Sequence, residues 1–220
     1  MIKREEIIGD CRLLLGDCLE IMPGLGNVDA ILTDPPYGLG KKFQGGTWGA
    51  ASQYREMPEW DTEAKQEWFD IILALDVPSI VFGGNYFQVP PSRCWLSWCK
   101  PSFPTMADME LAWTNLDRPS KRFSMSRVPD GAKEHPTQKP IQLMKWCLDF
   151  FPDARTIFDP FCGSGSTGVA CVKLGRKFIG IEIDERYFDI ACRRIEDAVS
   201  RPDLFVNQPE PKPIQEAMDV

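Results

Sequence analysis

The sequence predicts an α/β fold, with a mostly parallel central sheet carrying helices on both faces. Three observations support this. Strand-like and helix-like segments alternate along the 220 residues. Several strand candidates are short, continuous apolar runs, as expected of strands buried on both faces. A glycine-rich stretch, FDPFCGSGSTGV, follows one of these runs directly and leads into helical sequence.

Strand candidates lie at 12–15, 28–33, 79–82, 94–98, 110–113, 156–158 and 177–183. The helices between them are read from spacing. Ala64, Trp68, Ile71, Ile72 and Leu75 fall on one face of a 3.6-residue period, and so do Ile141, Met144, Cys147, Leu148 and Phe151. Two further helices are expected over 166–174 and 185–200. Residues 38–57 carry five glycines and the adjacent Lys41 and Lys42, so they read as a loop. Residues 116–135 show no clear period. The end, 201–220, holds four prolines and mixed charges and reads as an extended tail. The length suits one domain over 1–200, and no internal repeat is present.

Composition excludes several function classes. No apolar run reaches membrane-spanning length, and MIKREEIIGD lacks the apolar core of a signal peptide. A cytoplasmic protein is expected. The eight cysteines form no C-x-x-C pair and His135 is the only histidine, so no metal site is expected. Cysteines within apolar runs read as small buried hydrophobes. The net charge of −7 argues against a nonspecific nucleic-acid coat. It leaves room for a local basic face, and Arg118, Lys121, Arg122, Arg127 and Lys133 supply one against Asp117 and Asp130.

Gly163, Gly165 and Gly168 satisfy G-x-G-x-x-G, and Glu182 ends a strand where a ribose-binding acid belongs. The pattern alone admits a nicotinamide dinucleotide. Asp159 weighs against it, because a carboxylate just before the loop would repel a pyrophosphate. A second motif adds to this. The run Val28 to Thr33 delivers into Asp34-Pro35-Pro36-Tyr37, beyond the carboxyl end of a strand, where ligands of open α/β sheets bind. Two prolines cannot continue a central strand, so they fix a stiff turn that presents Asp34, a free carbonyl and the Tyr37 ring.

Together these motifs resemble the S-adenosylmethionine-dependent amino-methyltransferases of DNA. Asp34-Pro-Pro-Tyr37, the loop from Asp159 to Thr167, the run His135-Pro-Thr-Gln-Lys139-Pro140 and Gly180-Ile-Glu182 all match, and Gly16-Asp17-Cys18 is similar to a further element. The catalytic motif precedes the cofactor loop, the circularly permuted order of the beta class. The resemblance covers about residues 11–198. It implies a Rossmann-like methyltransferase fold in a single catalytic domain, with a short target-recognition insertion at about 115–135. It also implies a bacterial or phage-encoded enzyme of the restriction–modification type.

The resemblance further implies roles. Asp159 lies near the methionine amino group of the cofactor. Glu182 accepts from both ribose hydroxyls. Asp17 and the Cys18 backbone address the adenine ring, and Lys139 helps form the methionine end. Phe161, Gly163, Ser164, Gly165, Ser166 and Thr167 complete the cofactor loop. The target is an exocyclic amine, a poor nucleophile because its lone pair is delocalised into the ring. Asp34 and a Pro-Pro carbonyl, that of Pro35, are read as accepting its two hydrogens, with displacement made fast by positioning. Tyr37 stacks on a base turned out of double-stranded DNA.

Asp in the first position more often accompanies N6-adenine in this family and Ser N4-cytosine, so N6-adenine is the expected target. C5-cytosine methylation needs a Pro-Cys dipeptide, which is absent. Arg118, Lys121, Arg122 and Arg127 are candidates for DNA contact, together with Lys41 and Lys42. A homodimer is a further expectation, since the recognition segment is short. The rival readings are an N4-cytosine enzyme, a nicotinamide oxidoreductase and a noncatalytic nucleic-acid-binding protein.

Overall fold

A computed structural model describes residues 1–38, 63–100, 108–125 and 138–201. Among these, one sheet is built from β1 (Arg4–Ile8), β2 (Cys11–Leu15), β3 (Ala30–Thr33), β4 (Ser79–Phe82), β5 (Trp95–Cys99), β6 (Met109–Thr114), β7 (Lys121–Ser124), β8 (Thr156–Asp159) and β9 (Lys177–Glu182). The spatial order is β1-β2-β9-β8-β3-β4-β6-β5-β7. The central run from β2 to β4 is parallel throughout. β1 closes one edge antiparallel to β2. On the other side β6 pairs antiparallel with β4 and β5, and β7 lies parallel to β5.

The helices are α1 (Cys18–Ile21), α2 (Gln66–Ala74), α3 (Ile141–Leu148), α4 (Ser166–Lys173) and α5 (Glu185–Ser200). Strand residues alternate between faces, and the two faces bury separate apolar layers. Leu13, Leu15, Ala30, Leu32, Ile80 and Phe82 pack with α3, α4 and α5. Their strand neighbours Leu14, Ile31 and Val81 pack with α1 and with Phe69 and Ile72 of α2. A continuous apolar strand is therefore needed, because both sides are covered. Each fully buried large side chain contributes about 1.5–3 kcal/mol.

The expected strands and helices are present, with ends shifted by up to three residues. Two strands were not expected, β1 and β7. Both are short edges: β1 exposes Glu5 and Ile7, and β7 exposes Lys121, Arg122 and Ser124. Their sequences, REEII and KRFS, show no apolar run because only one side chain in two finds cover. β7 falls in the segment that shows no period. Its anchor is Phe123, whose ring sits 5.2 Å from that of Trp146 on α3.

The chain leaves β3 toward β4 on one side and leaves β8 toward β9 on the other. The carboxyl ends of β3 and β8 therefore diverge, and a crevice opens where the winding direction reverses. Both sequence motifs, Asp34-Pro-Pro-Tyr37 and the glycine loop, emerge at this point.

Gly168, the third glycine of the fingerprint, lies inside α4. A Cβ there would sit 2.5 Å from Ile195 Cδ1 and 2.8 Å from Phe178 Cε1. Its role is close packing of α4 against α5 and β9. Replacing a mid-helix glycine by alanine usually stabilises by about 1 kcal/mol. Here overpacking reverses the sign, so Gly168→Ala is expected to cost about 1–3 kcal/mol. A urea midpoint equal to or above wild type would contradict the close contact.

Candidate active site

The crevice forms a cavity of about 340 Å³. Its wall takes Asp34 to Tyr37 from the turn after β3, Asp159 to Ser164 from the loop after β8, and Glu182 from the end of β9. Asp17 and Cys18 enter from the start of α1, and Lys139 from just before α3. Trp68 of α2 stands edge-on to Phe161, with centroids 5.2 Å apart, and gives the cavity an aromatic side.

Asp159 is 3% exposed, and three donors reach it. Thr33 donates to Oδ1 at 2.7 Å, the Phe161 backbone N–H to the same oxygen at 3.1 Å, and Thr167 to Oδ2 at 2.7 Å. Burial nevertheless outweighs these bonds and raises its carboxyl from 3.8 to about 6, with the Asp34 charge adding to the rise. Glu182 is similar. Its Oε2 accepts from Gly163 N at 2.8 Å, and its Oε1 from Ile183 N and Asp184 N at 2.9 Å each. Burial again dominates and pushes it up to about 7. The three backbone donors fill most of the roughly four acceptor sites of a carboxylate. A ligand diol would therefore share Glu182 with the backbone. Asp17 accepts from Leu19 N at 2.9 Å and caps α1 while lining the cavity.

Gly163 (φ 51°) and Gly165 (φ 77°) take the left-handed conformation that curls the loop around the cavity. Gly165 itself packs against Ala191 of α5 and does not line the cavity. Arg194 of α5 holds the loop from behind, donating to the Ser164 carbonyl and, at 2.9 Å, to the Ser164 hydroxyl.

The Tyr37 ring lies against Gly83, where a Cβ would come within 1.9 Å of Tyr37 Cε1. Its neighbour is Tyr86, stacked with centroids 5.0 Å apart and planes at 17°. Lys139, 7% exposed, pairs with Asp34 Oδ2 and lies 3.2 Å from Glu110 Oε2. The Glu110 Oε1 atom is paired with Lys100.

The structure thus brings Asp34, Pro35, Pro36 and Tyr37 to the same cavity as the expected cofactor residues, Gly165 excepted. Arg118, Lys121 and Arg122 are exposed on and just before β7, beyond the described wall of the cavity. Lys41, Lys42, Arg127 and His135 lie outside the described residues. Sequence reading missed Thr33, Gly83, Tyr86, Lys100, Glu110 and Arg194. Thr33 alone carried a local signal, standing beside Asp34 at the end of a strand. Cys18 and Cys162 line the cavity as buried thiols, Cys18 raised to about 12 by burial and Cys162 also well up, so neither is a thiolate nucleophile at neutral pH.

The raised carboxyls fix the sign of a pH dependence. The folded state holds protons on Asp159 and Glu182 that the unfolded chain has already released, so stability falls as pH rises from about 4 toward 7. Denaturation of the unliganded protein at pH 5 and pH 7.5 is expected to differ by on the order of 2–4 kcal/mol, with the lower pH more stable. Asp159→Asn removes roughly 1 kcal/mol of that difference. Equal pH dependence in the two proteins would show that Asp159 is not the group responsible.

A family profile described as DNA methylase, N6_N4_Mtase, matches residues 84–193, half of the chain. The type II methyltransferase M.HinfI of Haemophilus influenzae is 27% identical over 249 residues, covering 86% of this chain and 69% of its own. The DNA adenine methyltransferase YhdJ of Escherichia coli K12 is 41% identical over 83 residues, 37% of this chain and 27% of its own. Among solved structures, the M1.HpyAVI complex with S-adenosylmethionine (SAM) superposes with a TM-score of 0.58 at 26% identity, covering 84% of this chain and 98% of that one. The cytosine-N4-specific PvuII DNA methyltransferase gives 0.59 over 91% and 96%, at 16% identity, a likeness of fold alone. With the profile spanning half of its length and the fold shared over 84% of it, the chain belongs to the N6/N4 family of DNA methylases.

Proposed function

We propose that this DNA methyltransferase transfers a methyl group from S-adenosylmethionine to the exocyclic N6 of adenine, taken from double-stranded DNA with the base turned out. One observation carries the reading. The Asp34-Pro-Pro-Tyr37 turn opens into the same cavity as Asp159 and Glu182, and Thr33 joins the two motifs by its bond to Asp159.

The donor set suits the cofactor. S-adenosylmethionine carries an ammonium, a sulfonium, a ribose diol and an adenine, and it supplies an electrophilic methyl group. A buried acid favours the cationic end, and the donors that reach Asp159 among the described residues are two hydroxyls and a backbone N–H. Glu182 stands where the diol is expected, and Phe161 and Trp68 offer an apolar wall to a ring. A pyrophosphate would meet three carboxylates here, from Asp17, Asp159 and Glu182, which disfavours the nicotinamide reading.

Asp34 and the Pro35 carbonyl would accept the two amine hydrogens and aim the nitrogen lone pair into the cavity. The N–C bond forms as the sulfonium S–C bond breaks, and the sulfide leaves uncharged. The proton lost by the methylated amine goes to the Asp34 carboxylate and then to water. Positioning and fixed dipoles supply most of the acceleration. Tyr37 offers the base a stacking face, offsetting part of the few kcal/mol that unstacking costs. Adenine is favoured by Asp34 and by the relation to YhdJ. The N4-cytosine reading is the rival, because the matching family profile spans both targets.

Labelled S-adenosylmethionine incubated with DNA, followed by mass spectrometry of the nucleosides, tests both. N6-methyladenine is expected, and N4-methylcytosine would transfer the reading to its rival. Asp34→Ala should lose turnover by 10²-fold or more while keeping cofactor binding; robust turnover by this variant would refute the catalytic role. Lys121→Ala and Arg122→Ala should each weaken DNA binding across sequences and reduce the salt slope by about 1. Unchanged slopes would remove β7 from the DNA-contacting surface.

A further inference from the structure

Four charged side chains stand in a row of alternating sign behind the catalytic turn. Asp34 follows β3, Lys139 precedes α3, Glu110 lies on β6 and Lys100 follows β5. Lys139 pairs with Asp34 Oδ2 and with Glu110 Oε2, the latter at 3.2 Å, and Lys100 pairs with Glu110 Oε1. Both ammoniums are buried, Lys139 at 7% exposure and Lys100 at 9%. Each also sits over an aromatic ring, Lys139 at 5.1 Å from Phe82 and Lys100 at 4.4 Å from Trp98.

Resting on the catalytic reading of Asp34, we propose that Lys139, held in place by Glu110 and Lys100, is the counterion that keeps this aspartate ionised, not a ligand of the methyl donor. A ligand carboxylate would have to compete for the Lys139 ammonium with two carboxylates already bound to it. The need for a counterion is set by the surroundings. Asp159 adds its charge to Asp34 from the end of β8. Asp17, Glu63 and Glu182 line the same cavity, and among the described residues Lys65 is the other cation along that wall. An excess of carboxylates disfavours the charged form of each of them. A protonated Asp34 loses acceptor capacity, so it would hold the amine less well and could not take its proton. Buried ion pairs contribute little net stability compared with apolar packing, which makes a role in tuning the aspartate the better account of four charges joined from four elements. Lys139 is thus a positioning residue that acts through Asp34.

The test compares Lys139→Met, Lys139→Arg and Glu110→Gln with wild type. The measurements are single-turnover methylation of DNA against pH, S-adenosylmethionine affinity by equilibrium dialysis, and the ¹³C titration of the Asp34 carboxyl in the unliganded protein, assigned with Asp34→Asn. Lys139→Met is expected to move the acidic limb and the Asp34 titration up by about 1–3 pH units, with cofactor affinity within about twofold of wild type. Lys139→Arg should restore the limb. Glu110→Gln removes a neighbouring anion and should move the limb the opposite way, a sign that a merely structural contact would not produce. Unmoved limbs, or a tenfold loss of cofactor affinity in Lys139→Met without a pH shift, would overturn the proposal. Should Lys139→Met not fold, Lys139→Gln replaces it, and an unmoved Asp34 titration in that variant would equally overturn the proposal. Robust turnover by Asp34→Ala would instead sink the catalytic reading on which the proposal rests.

Discussion

A buried carboxylate at the crossing point of the sheet organises this molecule. Asp159 ends β8 where the winding reverses, and Thr33 from β3 and Thr167 from α4 close on its two oxygens. Parallel strands must diverge there, so backbone bonding alone leaves a gap. The Thr33 hydroxyl bridges that gap and sets the spacing between the turn after β3 and the loop after β8, while Thr167 ties the same carboxylate to α4. Without that spacing, Asp34 and the glycine loop would be two motifs on one sheet and not two walls of one cavity. The acid is held at a cost, since burial outweighs its three hydrogen bonds and favours the protonated form. A cationic ligand is the natural remedy.

The same logic extends outward. The cavity wall is rich in carboxylates, and the protein answers with cations both on the wall and behind it. Lys139 lines the cavity but is already paired with Asp34 and Glu110, and Lys100 is buried behind it against Glu110. Arg194 works similarly from α5, gripping the loop by its Ser164 carbonyl and hydroxyl. The net charge of −7 is therefore a poor guide to the site, because local pairing decides what a ligand meets.

Much of this was legible in the sequence because the chemistry lies in short contiguous motifs. Asp34 to Tyr37 and Asp159 to Thr167 each sit at a strand end, and a stiff turn or a glycine loop can be read without knowing the fold. Apolar runs announced the double-sided strands for the same reason. What escaped was non-local. Glu110 gives no sign in ELAW that it will meet a lysine some thirty residues on, and Lys100 reads as any charge after a strand. Gly83 resembles a turn glycine until the Tyr37 ring is seen against it. The edge strands β1 and β7 escaped because edges bury one face at most, and their charged positions erase the apolar signal. The third fingerprint glycine matches a phosphate-binding pattern by coincidence, and Gly168 serves helix packing instead.

The position of β7 has an evolutionary consequence. It pairs with β5 alone, at the far edge of the sheet from β1, and with none of the parallel strands that form the cavity. Material can be added, trimmed or exchanged at that edge while the central strands keep their register. Where β7 contacts DNA as proposed, chemistry and address are inherited on separate parts of the chain. Descendants of such a protein are free to drift in what they recognise long before they lose what they catalyse.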